Sequence, residues 1–229
     1  MRQLLFLLLG FLSGIAVSVA AVSADELPTV STPSAFSTSN DGGQVFTDDN
    51  SPQAMRAAKR HLYLPTKTPT PTEGVRWPTR NVKIYMDTND HALQVAFRGA
   101  VRAWNKTGAV HLKWVRNEDQ ADIIARDGSL SNNDSTPVGY STAQLGSTST
   151  QYNPDTHSLI QARSTLDATH LDYTSRQFRT EVAEHELGHA LGLAHAPEYM
   201  HSVMIPRNVK TGITKLDRRT IRQLYNVTE

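Results

Sequence analysis

Two histidines and a glutamate stand at a spacing that suits a metal ion. His185 and His189 are four residues apart, so in a helix they lie about one turn apart on the same face and both imidazoles reach one ion. Glu186 follows the first histidine, and its carboxylate can approach the open side of the metal without serving as a ligand. Such a pattern also arises by chance in a buried helix, where the histidines only hydrogen-bond to one another.

A glycine and a third histidine follow at a spacing that favours a catalytic metal. A continuing helix would carry His195 away from the first two histidines. Gly192 can adopt a positive φ without penalty, so the chain can leave the helix there and return His195 to the ion. Three nitrogen ligands leave one tetrahedral position open, whereas a structural zinc site gains from a fourth protein ligand. The sequence therefore predicts one catalytic zinc ion held by His185, His189 and His195, with Glu186 as the general base.

The run from His185 to His195 matches the metzincin signature HExxHxxGxxH at every specified position, and the chain resembles that family of metalloproteases. Metzincins also have a tight turn with a methionine beneath the metal, and residues 202–206 are similar to this turn. The resemblance therefore makes Met204 the expected floor of the site.

Among the metzincins, the matrixins are the most similar, and the resemblance covers about residue 75 to the end of the chain. The segments that carry it are 76–78, the helix ending in Trp104, 121–124 and 216–225. It implies an α+β, zincin-like domain with a twisted mixed sheet, two long helices and a small C-terminal subdomain. The zinc would lie in a cleft between the two parts.

The chain also departs from the matrixin pattern. It has no cysteine, so the thiolate that silences matrixin zymogens is missing, and any autoinhibition by residues 25–74 would need a carboxylate or simple steric cover. His157, Asp127, Asp134 and Asp155 do not reproduce the spacing of the structural metal sites in matrixins. We predict no second zinc. The loop 127–134 offers oxygen ligands of the kind calcium takes, so calcium is kept as an alternative that we do not predict. Ala196 and Arg207 also depart from common matrixin choices, so we do not carry over the subsite preferences of matrixins.

Composition limits the classes of partner and fold. The chain has 229 residues, which with an N-terminal targeting segment leaves room for about one globular domain. Its 23 basic and 22 acidic residues nearly cancel and produce no strong electrostatic field around the protein, so nucleic acid is not an expected partner. The lack of cysteine excludes disulfides, thiolate zinc sites and a cysteine nucleophile.

The N-terminal residues resemble an export signal. One arginine precedes a nearly continuous apolar run, and small residues at 22 and 24 suit cleavage before Asp25. Residues 1–24 are therefore predicted to be a signal peptide, although the run is also long enough to remain as an uncleaved membrane anchor. Both alternatives place the remaining chain outside the cytoplasm, secreted or anchored. Residues 25–74 are rich in Ser, Thr and Pro and are predicted to form a linker or pro-region, ahead of a metalloprotease domain at 75–229.

Periodicity predicts the elements that position the site. Alternating apolar residues indicate strands, and apolar residues at helical spacing indicate helices. We expect Thr174 and Gln177 to form a capping box for the metal-binding helix, Thr214 and Asp217 to form another, and Trp114 to be buried. The predicted strands are 82–86, 111–115, 121–125, 138–142 (an edge strand) and 158–162, and the predicted helices are 52–62, 91–105, one that ends at Gly192, and one from 214.

These features together predict an extracellular, monomeric zinc endopeptidase acting on proteins or peptides. Zinc lowers the pKa of its bound water toward about 7, and Glu186 accepts the proton and passes it to the leaving amine. One alternative is a catalytically weak extracellular zinc-containing module that binds proteins, against which the intact Glu186 argues. Another is a zinc hydrolase that acts on a non-peptide bond.

Overall fold

The structure, a computed structural model, describes residues 37–39, 51–130, 144–206 and 211–226. The predicted signal segment 1–24 and the predicted edge strand 138–142 lie outside these residues. Within them, no helix is long and apolar enough to cross a membrane.

One mixed sheet forms the centre of the domain, with strand order β1-β5-β6-β4-β2-β3. The strands β2, β3, β4 and β6 are parallel, whereas β5 runs antiparallel to β6 and β1 runs antiparallel to β5. The predicted α+β class with a mixed sheet is confirmed. The strands are β1 Ser37–Ser39, β2 Asn81–Asp87, β3 His111–Trp114, β4 Ile123–Gly128, β5 Gly146–Asn153 and β6 Ser158–Asp167.

Two long helices pack on each other and on the sheet, as predicted. Gly99 lies where they cross, because a Cβ added there would lie only 2.8 Å from Thr180 Cγ2. Trp104 is fully buried and donates from Nε1 to the Glu184 carbonyl at 2.9 Å, which ties one helix to the other. The helices are α1 Pro52–Ala58, α2 His91–Asn105, α3 Ala168–Leu171, α4 Arg176–Ala190 and α5 Lys215–Leu224, and α2 and α4 are the long pair.

The predicted start of α4 was wrong by one residue. Ser175, not Thr174, is the N-cap, and its hydroxyl accepts from the Phe178 amide at 3.1 Å. The Thr174 hydroxyl instead donates to the Leu171 carbonyl at the end of α3. Gln177 also does not reach back to the cap, because its amide donates along the helix to Glu181. The capping box of Thr214 and Asp217 at the start of α5 is confirmed.

Two further expectations were wrong at the edges of the sheet. Trp114 is 38% exposed rather than buried, because it is the last residue of the edge strand β3. The strand β5 was not among the predicted strands. Alternating apolar residues do not mark this strand, since its buried face carries Thr148 and Thr150.

Residues 51–74, part of the predicted linker or pro-region, contact the domain. Thr70 is buried, and both its amide and its hydroxyl bond to the Thr220 hydroxyl in α5, at 2.9 and 2.8 Å. The Glu73 amide donates to the Gly192 carbonyl at 2.9 Å, next to the end of α4. The domain boundary at residue 75 stays a prediction, but these contacts place this segment beside the histidine cluster.

Candidate metal centre

The three predicted histidines lie together. Their Nε2 atoms form a triangle in which each pair is 3.2 Å apart. α4 carries His185 and His189 on one face, and His195 approaches from the segment after the helix. In the described part of the chain, this is the group of His, Cys, Asp or Glu side chains whose geometry can hold a metal ion.

The turn after α4 brings His195 to the other two histidines. Gly192 has a φ of +93°, which confirms the predicted left-handed exit from the helix. The Leu193 amide returns to the Gly188 carbonyl at 3.0 Å, and this hydrogen bond closes the turn. A Cβ at position 192 would overlap the Val75 carbonyl oxygen, so both the backbone angle and the available space require glycine.

Hydrogen bonds to backbone carbonyls orient two of the imidazoles. His185 Nδ1 lies 2.7 Å from the Val203 oxygen, and His189 Nδ1 lies 2.9 Å from the Leu193 oxygen. A carbonyl only accepts, so each Nδ1 carries the hydrogen and each Nε2 presents its lone pair to the centre of the triangle. The Glu73 carboxylate lies 3.5 Å from His189 Nδ1 as a second acceptor.

Burial keeps two of the rings neutral. It lowers the pKa of His185 well below its usual value, and the neighbouring His189 lowers it further, against the effect of the Val203 carbonyl. Burial and then His189 lower the pKa of His195 to about 3. A neutral imidazole is the form that binds a metal.

The spacing of the triangle fits zinc. Zinc–nitrogen bonds of about 2.0–2.1 Å at tetrahedral angles separate the nitrogens by roughly 3.3 Å, close to the observed 3.2 Å. Three imidazoles and no protein sulfur are also a donor set that zinc accepts at catalytic sites. The residues present therefore fit a zinc ion.

Glu186 is buried beside the triangle, between α4 and β5. The Thr148 hydroxyl donates to Glu186 Oε2 at 2.7 Å. Oε1 has no hydrogen-bond partner among the described residues. Burial raises the pKa of Glu186 to about 7, against the opposing effects of His189 and of the Thr148 hydroxyl.

The predicted methionine turn packs directly under α4. Met204 is fully buried, and a Cβ added at Gly188 would overlap its Sδ atom. The Ala196 amide donates to the Met204 carbonyl at 2.9 Å, which ties the turn to the residue after His195. Met204 thus lies below the histidine helix, where a floor is expected.

Asp217 connects the turn to α5, a contact that the sequence analysis missed. Its carboxylate accepts from the Ser202 hydroxyl, from the Val203 amide at 3.0 Å and from the Thr214 amide at 2.8 Å. Because the Val203 carbonyl orients His185, the cap of α5 also supports the metal centre. The capping-box pattern was visible in the sequence, but its second role was not.

Comparisons with known proteins show the family of this chain. A family model described as matrixin matches residues 76–226, and the chain belongs to this family of zinc metalloproteases. Two solved structures of myroilysin are similar to the chain, both at 13% sequence identity. The match to the first has a TM-score of 0.42 and covers 70% of this chain and 100% of the myroilysin chain. The match to the second has a TM-score of 0.41 and covers 77% of this chain and 97% of the myroilysin chain. A search of curated proteins gave no match.

Replacing Gly192 by alanine is expected to destabilise the protein and weaken zinc binding. A positive φ costs a non-glycine residue about 1–2 kcal/mol, and the overlap with the Val75 oxygen adds to that cost. Gly74 is a matched control, because its φ is +72° but nothing lies within 4 Å of an added Cβ. Chemical denaturation and zinc titration of both variants measure the difference. If both variants lose the same unfolding free energy, the overlap with the Val75 oxygen does not contribute to the cost at position 192.

Proposed function

We propose that this chain is an exported zinc endopeptidase that hydrolyses internal peptide bonds of proteins or peptides. The observation that carries the proposal is the triangle of Nε2 atoms at 3.2 Å with the Glu186 carboxylate buried beside it. The match to the matrixin family supports the same class of reaction.

In this proposal His185, His189 and His195 hold the zinc, and Met204 supports the helix from below. A bound zinc ion would polarise the scissile carbonyl and lower the pKa of the attacking water. Glu186 accepts a proton from the attacking water and later delivers it to the leaving amine. Within Glu186, Oε1 is the oxygen suited to accept and deliver this proton, because Oε2 already accepts a hydrogen bond from the Thr148 hydroxyl.

We also propose that an extended substrate lies along the start of β5. Gly146 is in contact with the Glu186 side chain, so this end of the strand lies next to the general base. β1 pairs with the other half of β5, at Thr150 to Tyr152. Main-chain hydrogen bonds to a strand are a common way to bind an extended peptide without restricting its sequence.

Export is proposed from the N-terminal sequence alone. A charged start, an apolar run and small residues before Asp25 suit secretion with cleavage, and the same run suits an uncleaved anchor. Expression of the full chain in a secreting host, followed by fractionation and N-terminal sequencing, separates the two forms. Retention of the full chain in the cytoplasm would contradict both.

The main test uses the full chain and a library of quenched-fluorescent peptides. We expect cleavage with zinc, loss of cleavage after treatment with a chelator, and recovery when zinc is returned in stoichiometric amount. Mass spectrometry of the products identifies the bond that is cut. A folded, zinc-bound protein that cuts neither peptides nor denatured proteins would overturn the proposed activity and favour the protein-binding module.

A further inference from the structure

Two residues of β5 shape the surroundings of Glu186, and neither belongs to the metal-binding motif. Gly146 and Thr148 point to the same side of the strand, where each contacts the Glu186 side chain. Thr148 and Glu186 are each 1% exposed. Water therefore competes little for the hydrogen bond between them.

The Thr148 hydroxyl holds one oxygen of the carboxylate. Among the described residues, its single hydrogen has three acceptors within reach: Glu186 Oε2 at 2.7 Å, the Glu186 carbonyl at 3.0 Å and Ser164 Oγ at 3.1 Å. The carboxylate oxygen is the nearest and carries charge in the ionised form that acts as a base, so it receives the hydrogen. Oε1 has no partner among the described residues, which makes the two oxygens of Glu186 unequal.

Gly146 provides the space for this arrangement. A Cβ at position 146 would overlap Glu186 Oε1 and would lie 2.6 Å from both Cγ and Cδ. Real Cβ atoms do not come this close, so any side chain at 146 would displace the carboxylate. A glutamate has three side-chain torsions, and a fixed neighbour on each side removes most of that freedom.

We propose that Thr148 is a positioning residue for Glu186: its hydroxyl fixes Oε2, in space left free by Gly146, so that Oε1 faces the proton to be transferred. This inference rests on the proposed peptidase function. A general base must lie within hydrogen-bond reach of the proton it takes, and small displacements of catalytic groups cost rate rather than substrate affinity.

The test compares Thr148→Val, Thr148→Ser and Thr150→Val in the full zinc-loaded chain. Valine keeps the shape of threonine but cannot donate, so we expect kcat to fall about 10- to 100-fold, the size of a lost hydrogen bond to a charged group. KM, zinc affinity and melting temperature should change little. Serine restores the hydroxyl and should recover kcat to within about threefold of wild type.

Thr150→Val is the matched control, because Thr150 is buried on the same face of β5 two residues away. It should leave kcat within about twofold of wild type. If Thr148→Val keeps wild-type kcat, or loses no more than Thr150→Val, the positioning role is wrong. If Thr148→Val does not fold, Gly146→Ala provides the test, since it retains the hydroxyl and displaces the carboxylate. Retention of full kcat in that variant would equally overturn the proposal.

A second readout separates this inference from the proposed activity. The side-chain carboxyl ¹³C resonance of Glu186, identified by its absence in Glu186→Gln, is measured in metal-free protein. Thr148→Val should shift it, whereas Thr150→Val should not. If wild type cleaves nothing, the peptidase proposal fails, and an unshifted resonance in Thr148→Val then shows separately that Thr148 does not hold Glu186.

Discussion

Glu186→Gln is expected to lower kcat by about 10²- to 10⁴-fold, the usual contribution of a general base. The amide cannot accept the proton from water at neutral pH, although its oxygen can still accept from the Thr148 hydroxyl, which lies 2.7 Å from Oε2 in wild type. Zinc content and folding should therefore be retained. Steady-state kinetics with a cleaved library peptide and metal analysis of the purified protein provide the two measurements.

Glu181→Gln is the control for this variant. Glu181 is also a buried glutamate of α4, but it pairs with Gln177 rather than with the metal centre. Its replacement should leave kcat within a few-fold of wild type. Comparable kcat values for Glu186→Gln and wild type would exclude Glu186 as the base, and loss of zinc together with activity would show a structural defect instead.

His195→Ala is expected to abolish turnover and to weaken zinc binding more than about 100-fold. Loss of a residue that only hydrogen-bonds to a metal ligand typically weakens metal binding by up to about 100-fold, and loss of a ligand itself should cost more. The substitution removes one corner of the 3.2 Å triangle and leaves two histidines. The carbonyl contacts that orient the other two rings do not involve the His195 side chain. The metal-free variant should therefore fold, and competition with a fluorescent zinc chelator measures its affinity.

Thermal unfolding gives an independent measurement of the loss of zinc affinity in His195→Ala. A ligand that binds only the folded state at 100 times its Kd adds about 2.7 kcal/mol of stability. Zinc should therefore raise the melting temperature of wild type but not that of His195→Ala. His201→Ala is the control, because His201 is an exposed histidine close to the methionine turn. If His195→Ala binds zinc like this control, His195 is not a ligand.

The local features of the centre could be predicted from the sequence because they depend on short-range geometry. A spacing of four residues places His185 and His189 on one helical face, and a glycine at 192 allows the left-handed exit that returns His195. The strands and helices with strong apolar periodicity, such as β2 and α2, were also predicted within a few residues. The roles of the histidines, of Glu186 and of Met204 in binding and catalysis stay predictions.

Only the tertiary structure revealed the residues that support this motif. Thr148 is 38 positions from Glu186 and lies in a strand whose buried face is polar, so apolar alternation did not indicate that strand. Asp217 forms the expected cap, but its bond to Val203 depends on how α5 packs against the methionine turn. Such contacts arise from the assembled sheet and helices, because a buried polar group finds its partner by packing rather than by sequence spacing.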